Sequence, residues 1–153
     1  MVKKSLHNEK DFIKIKERIL KLNPDSERKW GRMTVSQMLT HCNLVLNVPT
    51  QKIRLPKIFF LFKWIGIATK YEMSIFNNGI LRNMPTFKKL IVTFECDLEK
   101  AQSEILQSLD LYRNCFLSHQ LPEKHVLFGK MSEKDWGFLE FKHLDHHLKQ
   151  FNV

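Results

Sequence analysis

An all-α fold follows from three observations on this 153-residue chain. Apolar residues recur at helical spacing in four long stretches, two of these stretches open on capping signatures, and the alternation that marks a half-buried strand is almost absent. The first stretch runs from Asn8 to Leu22, where Phe12, Ile15, Ile19 and Leu22 form one helical stripe. Asn23-Pro24-Asp25-Ser26 stops it. Thr34 and Gln37 then have capping-box spacing, with Met33 and Met38 placed as the apolar staple around them. This predicts a second helix from Thr34 to about Asn47, with Pro49 close behind. A shorter helix is expected after Pro56, and Leu90 to Phe94 is the one strand candidate. Phe94, Leu98, Ala101, Ile105, Leu109, Tyr112 and Phe116 follow at steps of three and four, which defines the longest helix. The start signal returns at Met131 to Trp136, with Ser132 as cap and Asp135 three residues on, so the last helix runs from Glu133 to about Phe151.

Four long helices of this kind predict a four-helix bundle, and the length suits one domain over residues 1–153. The connection from Pro49 to Thr93 is too long for a plain turn and is expected to pack as a helical crossover between the second and third long helices. Ile58 to Ala68 is strongly apolar, but it is about half of the roughly 20 residues a membrane span needs, and Lys63 interrupts it. It is expected to be a buried or dimer-facing helix, which makes a homodimer one expectation. The alternative is an interfacial amphipathic segment flanked by Lys57, Lys63 and Lys70.

The formal net charge of +9 is unevenly spread: residues 31 to 93 carry +8, whereas residues 121 to 153 are neutral. Such a basic middle suits an anionic surface or an anionic small substrate. No helix-turn-helix or other reading motif accompanies it, so no specific nucleic-acid partner is expected. Cys42, Cys96 and Cys115 are odd in number and form no CxxC pair, and the N-terminus has lysines without an apolar stretch behind them. Both features lead to the expectation of a cytoplasmic protein.

The chemistry-bearing feature is His143-Leu144-Asp145-His146-His147 on the last predicted helix. His143 and His147 are four apart, so their Cβ atoms rise from one face about 5 to 6 Å apart, close enough for both imidazoles to reach one metal ion. Of His7, His41, His119 and His125, only His41 falls inside a predicted helix, and it is the candidate third ligand. The alternative is a set of unconnected core and surface histidines. No HExxH motif is present, and only one Glu-x-x-His pair, Glu140 with His143, exists where a di-iron site needs two. Glu140 and Gln150 lie on faces from which they can orient the ligand histidines, or else they are polar surface residues. Asp145 is expected to be exposed, and Cys42 to be a small core residue.

Three stretches, residues 23–42 (NPDSERKWGRMTVSQMLTHC), 82–86 (RNMPT) and 128–151 (FGKMSEKDWGFLEFKHLDHHLKQF), together resemble the DinB/YfiT-like superfamily, and within it a small bacterial branch. The resemblance covers most of the chain and is loosest over residues 50–80. It implies a four-helix bundle with a divalent metal, Zn or Ni, held by His41 in QMLTHC and by His143 and His147 in HLDHH. It also places His125 near the mouth of the site. Superfamily members include thiol-dependent S-transferases, so the resemblance implies a metal-dependent enzyme acting on a small-molecule substrate through a low-molecular-weight thiol. If the basic crossover rims the site through Lys52, Arg54 or Lys57, an anionic thiol is favoured. The other reading is a non-enzymatic metal-binding or interaction protein.

Overall fold

Asn8 caps the first helix: its side chain accepts the Asp11 N–H at 3.3 Å, and α1 (Glu9–Leu20) buries Phe12, Ile15 and Ile19. The computed structural model describes residues 3–153. Thr34 and Gln37 close the expected capping box at the head of α2 (Val35–Leu46), and Ser132 with Asp135 does the same for α5 (Glu133–Gln150). α3 (Phe60–Phe76) lies in the long connection, and α4 (Leu98–Leu117) is the longest helix, with 20 residues. A short 3-10 turn spans Lys88–Leu90. The fold is therefore all-α, apart from the two-residue strands β1 (Lys124–His125) and β2 (Gly129–Lys130), which pair antiparallel just before α5.

One core joins α1, α2, α4 and α5. Ile15, Ile19, Met38, Leu39, Leu46, Ile105, Leu109 and Tyr112 are fully enclosed in it, and Phe141, Leu144 and Leu148 face it from α5. Cys42 belongs to the same core, as expected, with its Sγ 3.7 Å from the Met38 sulfur. A second, smaller cluster gathers Met73, Met131, Trp136, Phe138 and Leu139, so the staple pair Met131 and Trp136 is buried together.

Three elements depart from the expectations. Leu90 to Phe94 forms no strand: the Leu90 carbonyl is bonded by His41 and the Phe94 carbonyl by Gln37 Nε2 at 3.0 Å, so no ladder is available to the segment. The longest helix starts four residues later than its apolar stripe, because Asp97 accepts the Lys100 N–H at 2.7 Å and takes the cap; Phe94 is left 59% exposed. The helix after Pro56 is not short, with 17 residues, and most of it is not buried. It touches the rest of the protein through one stripe containing Gly66, Lys70 and Met73. Gly66 is required there, since a Cβ would stand 2.5 Å from both Cγ and the carbonyl oxygen of Leu127. Lys70 reaches the Lys130 carbonyl at 2.5 Å, so the buried amine is tied to the end of β2.

Candidate metal centre

α2 and α5 pack side by side, and this brings His41 opposite the i,i+4 pair His143 and His147. The ring centroids are 5.2 Å apart for His41 and His143, 4.9 Å for His41 and His147, and 4.7 Å for His143 and His147. One ligand atom from each ring lies within 4.8 Å of the others, so the three side chains form a group that could hold a metal ion. His41 Nε2 and His143 Nε2 are 3.2 Å apart. Two nitrogens bound tetrahedrally to one ion at about 2.05 Å stand roughly 3.3 Å from each other, so this edge of the triangle already has the spacing of a coordination sphere.

The outer nitrogens decide how the rings present themselves. His41 Nδ1–H donates to the Leu90 carbonyl at 2.7 Å, which leaves a lone pair on Nε2. Gln150 Nε2 donates to the Trp30 carbonyl at 2.6 Å, and this fixes Gln150 Oε1 as the acceptor for His147 Nδ1–H at 3.0 Å. His147 Nε2 therefore also keeps its lone pair. Gly31 adopts a positive φ of 82°, and a Cβ there would lie 2.5 Å from Gln150 Nε2, so a glycine allows the Trp30 loop to approach Gln150 this closely.

His143 differs from the other two. Its Nδ1 is buried with no partner, and Glu140 Oε2, one helical turn earlier, is buried with none either. Two unpartnered buried polar atoms this close along one helix are unusual in a folded interior.

Burial keeps the three imidazoles neutral. It holds His147 down to about 3, with the nearby His41 ring adding to the effect. Burial also lowers His143, helped by His147 and His41, and lowers His41 against its bond to Leu90. Burial pushes the Glu140 carboxyl the other way, up to about 8. Three neutral imidazoles, two of them with lone pairs held inward, suit a divalent cation as a donor set.

The remaining sequence candidates fall in different places. Gln150 is at the site and bonded to His147, while Glu140 is buried on the inner side of α5. His125 contacts neither ligand helix at the triad: its Nδ1 accepts the N–H groups of Leu127 and Phe128 at 3.1 and 3.2 Å, and its ring meets Phe128 and Trp136. Asp145 is not exposed as expected. It pairs with Arg18 and with Lys149, each at 2.7 Å, and ties α5 to α1. Lys52, Arg54 and Lys57 are exposed, and the crossover reaches the site instead through Leu90.

A cavity of about 330 Å³ opens on the adjoining face of α5, lined in part by Trp30, Ile80, Arg82, Lys142, His146 and Lys149. The His146 ring lies 5.0 Å from that of His147, and the Arg82 guanidinium sits 4.2 Å over the Trp30 ring. Neither Leu90 nor Trp30 was marked by the histidine pattern, because both serve the site through backbone carbonyls. Arg82 had one signal, its place at the head of the RNMPT stretch. In comparison with known proteins, the chain matches no family model, no curated protein and no solved structure.

Proposed function

We propose that this chain is a DinB/YfiT-type four-helix bundle that binds one divalent metal ion, Zn or Ni, through His41, His143 and His147, and uses it as a metal-dependent transferase for a low-molecular-weight thiol. The observation that carries the reading is the triad itself, three neutral imidazoles from two helices with two of their Nε2 lone pairs fixed inward by Leu90 and Gln150. Three protein ligands leave coordination positions open, which is the pattern of catalytic and not of structural zinc. A divalent ion held there lowers the pKa of a thiol or water that joins it, giving a nucleophile at neutral pH.

The chain's own residues supply the rest. Leu90 and Gln150 keep the His41 and His147 rings in one tautomer each. Arg82, Lys142 and Lys149 give the adjoining cavity a cationic lining, offset in part by Asp145, so the substrate class it favours is anionic, such as a carboxylated thiol. Burial of the triad beside the apolar core keeps bulk water away from one side of it.

Elemental analysis tests the metal reading. Tag-free protein incubated with Zn or Ni and then desalted should retain about one ion per chain, and His143→Ala should retain none; equal retention by both proteins rules the site out. Screening electrophiles with cellular thiols, with and without a chelator, tests the reaction: metal-dependent conjugation supports a transferase, and its absence across the panel leaves a metal-binding protein.

A further inference from the structure

α3 leaves most of its apolar surface outside the fold. The stripe it turns toward the protein contains Gly66, the buried amine of Lys70 and Met73, whereas its outward surface carries Phe60, Leu61, Trp64, Ile65, Ile75 and Phe76, each more than half exposed. Monomeric proteins rarely leave an apolar surface of this extent in water without a partner for it. The surroundings of α3 define that partner's charge. Residues 50 to 93 hold eight basic side chains and a single acidic one, Glu72, which is itself hydrogen-bonded by Asn78. Lys52, Arg54, Lys57 and Lys63 are all exposed at the approach to α3 and along its first turn.

We propose that α3 docks the protein on an anionic phospholipid surface, lying flat at the interface with Trp64 and its apolar neighbours among the upper acyl chains and Lys52, Arg54, Lys57 and Lys63 among the headgroups. An outward face of Trp, Phe, Leu and Ile beside lysines and an arginine is the composition that such interfacial helices use. The helix lies on the bilayer and does not cross it, because no helix of the described residues is long and apolar enough to span a membrane. A second copy of the chain is the poorer occupant: pairing α3 with α3 brings two equally basic segments together, and like charges at close range oppose that contact. The inference rests on α3 and its charges alone and is independent of the metal centre.

The test uses the full chain, with chelator present throughout, and vesicles of phosphatidylcholine alone or mixed equally with phosphatidylglycerol. Cosedimentation should show at least about ten-fold stronger partitioning onto the mixed vesicles, since each basic residue at the surface contributes about five-fold. Added salt should reduce this preference. Tryptophan emission should shift to the blue on binding, and the shift should be lost in Trp64→Phe while binding persists. Trp64→Ser combined with Ile75→Ser should lose partitioning with unchanged circular dichroism, because both side chains are exposed. Lys57→Glu with Lys63→Glu should remove most of the preference for anionic lipid. Equal partitioning onto both vesicle types, or none onto either, overturns the proposal. So does a stable dimer in solution that the Trp64→Ser, Ile75→Ser variant converts to monomer without any vesicle binding.

Discussion

His147 and His41 are each held by one acceptor on their outer nitrogen, and the two acceptors differ in how far they can be altered. Leu90 contributes a backbone carbonyl, which side-chain substitution leaves in place. Gln150 contributes a side chain, which is 2% exposed and locked by the Trp30 carbonyl. Gln150→Leu should therefore free the His147 ring to rotate and lower Zn or Ni affinity by about 10- to 100-fold, the usual cost of removing such a ring-orienting partner. Competition with a chromophoric chelator measures this, and an unchanged affinity would show that Gln150 only ties down the Trp30 loop. At this scale the pairing of His143 with His147 was legible in the sequence, because spacing of four on a helix places two side chains on one face whatever the tertiary fold. The partners of their outer nitrogens were legible only when they were side chains. Gln150 was found by its position on α5, whereas the carbonyls of Leu90 and Trp30 leave no trace in residue identity.

Helix boundaries show a similar division. Thr34 and Ser132 were readable as caps because the capping box pairs two side chains at fixed spacing, and both boxes are present. Thr34→Ala should cost about 1 kcal/mol of stability, measured by urea unfolding. The start of α4 was misplaced because apolar periodicity continues through Phe94 although the helix does not. Asp97 ends the pattern's meaning by taking the cap, and periodicity alone carries no information about where backbone hydrogen bonding begins. Two substitutions on that stripe should separate accordingly. Leu109→Ala removes a fully enclosed side chain and should cost about 3 kcal/mol. Phe94→Ser should stay within about 0.5 kcal/mol, since the side chain is exposed and its backbone bond to Gln37 survives. The length of α3 was hidden for a different reason. It has no side-chain cap and is apolar on almost every face, so neither end signals nor amphipathic period mark its extent.

For the molecule as a whole, the buried titratable groups set opposite slopes on stability against pH. Burial holds His7 and His125 down to about 4, and the triad histidines are lowered as well, so the folded chain binds fewer protons than the unfolded chain between about 4 and the ordinary imidazole value of 6.5. Stability of the metal-free protein must rise with pH through that window. Glu140 acts in the reverse sense. Its carboxyl is raised from 4.5 to about 8, so the folded state keeps a proton that the unfolded state has released, and this contribution is lost as pH rises from about 4.5 to about 8. Between 4.5 and 6.5 several histidines oppose one carboxyl, and the net slope stays positive. At 6.5 the unfolded imidazoles are still half protonated, so the slope changes sign only near pH 7, where Glu140 outweighs what remains of the imidazole difference, and beyond that it is no steeper than about 1.4 kcal/mol per pH unit. Urea unfolding of chelator-treated protein should therefore show a maximum near pH 7. Glu140→Gln keeps the size of the side chain and removes its charge, so it should flatten the alkaline limb and leave the acid limb intact. His125→Phe should reduce the acid slope alone, since that imidazole lies in the hairpin, among Phe128 and Trp136. An alkaline limb that persists in Glu140→Gln would place the lost proton on another group, and with it the buried charge that this interior tolerates least.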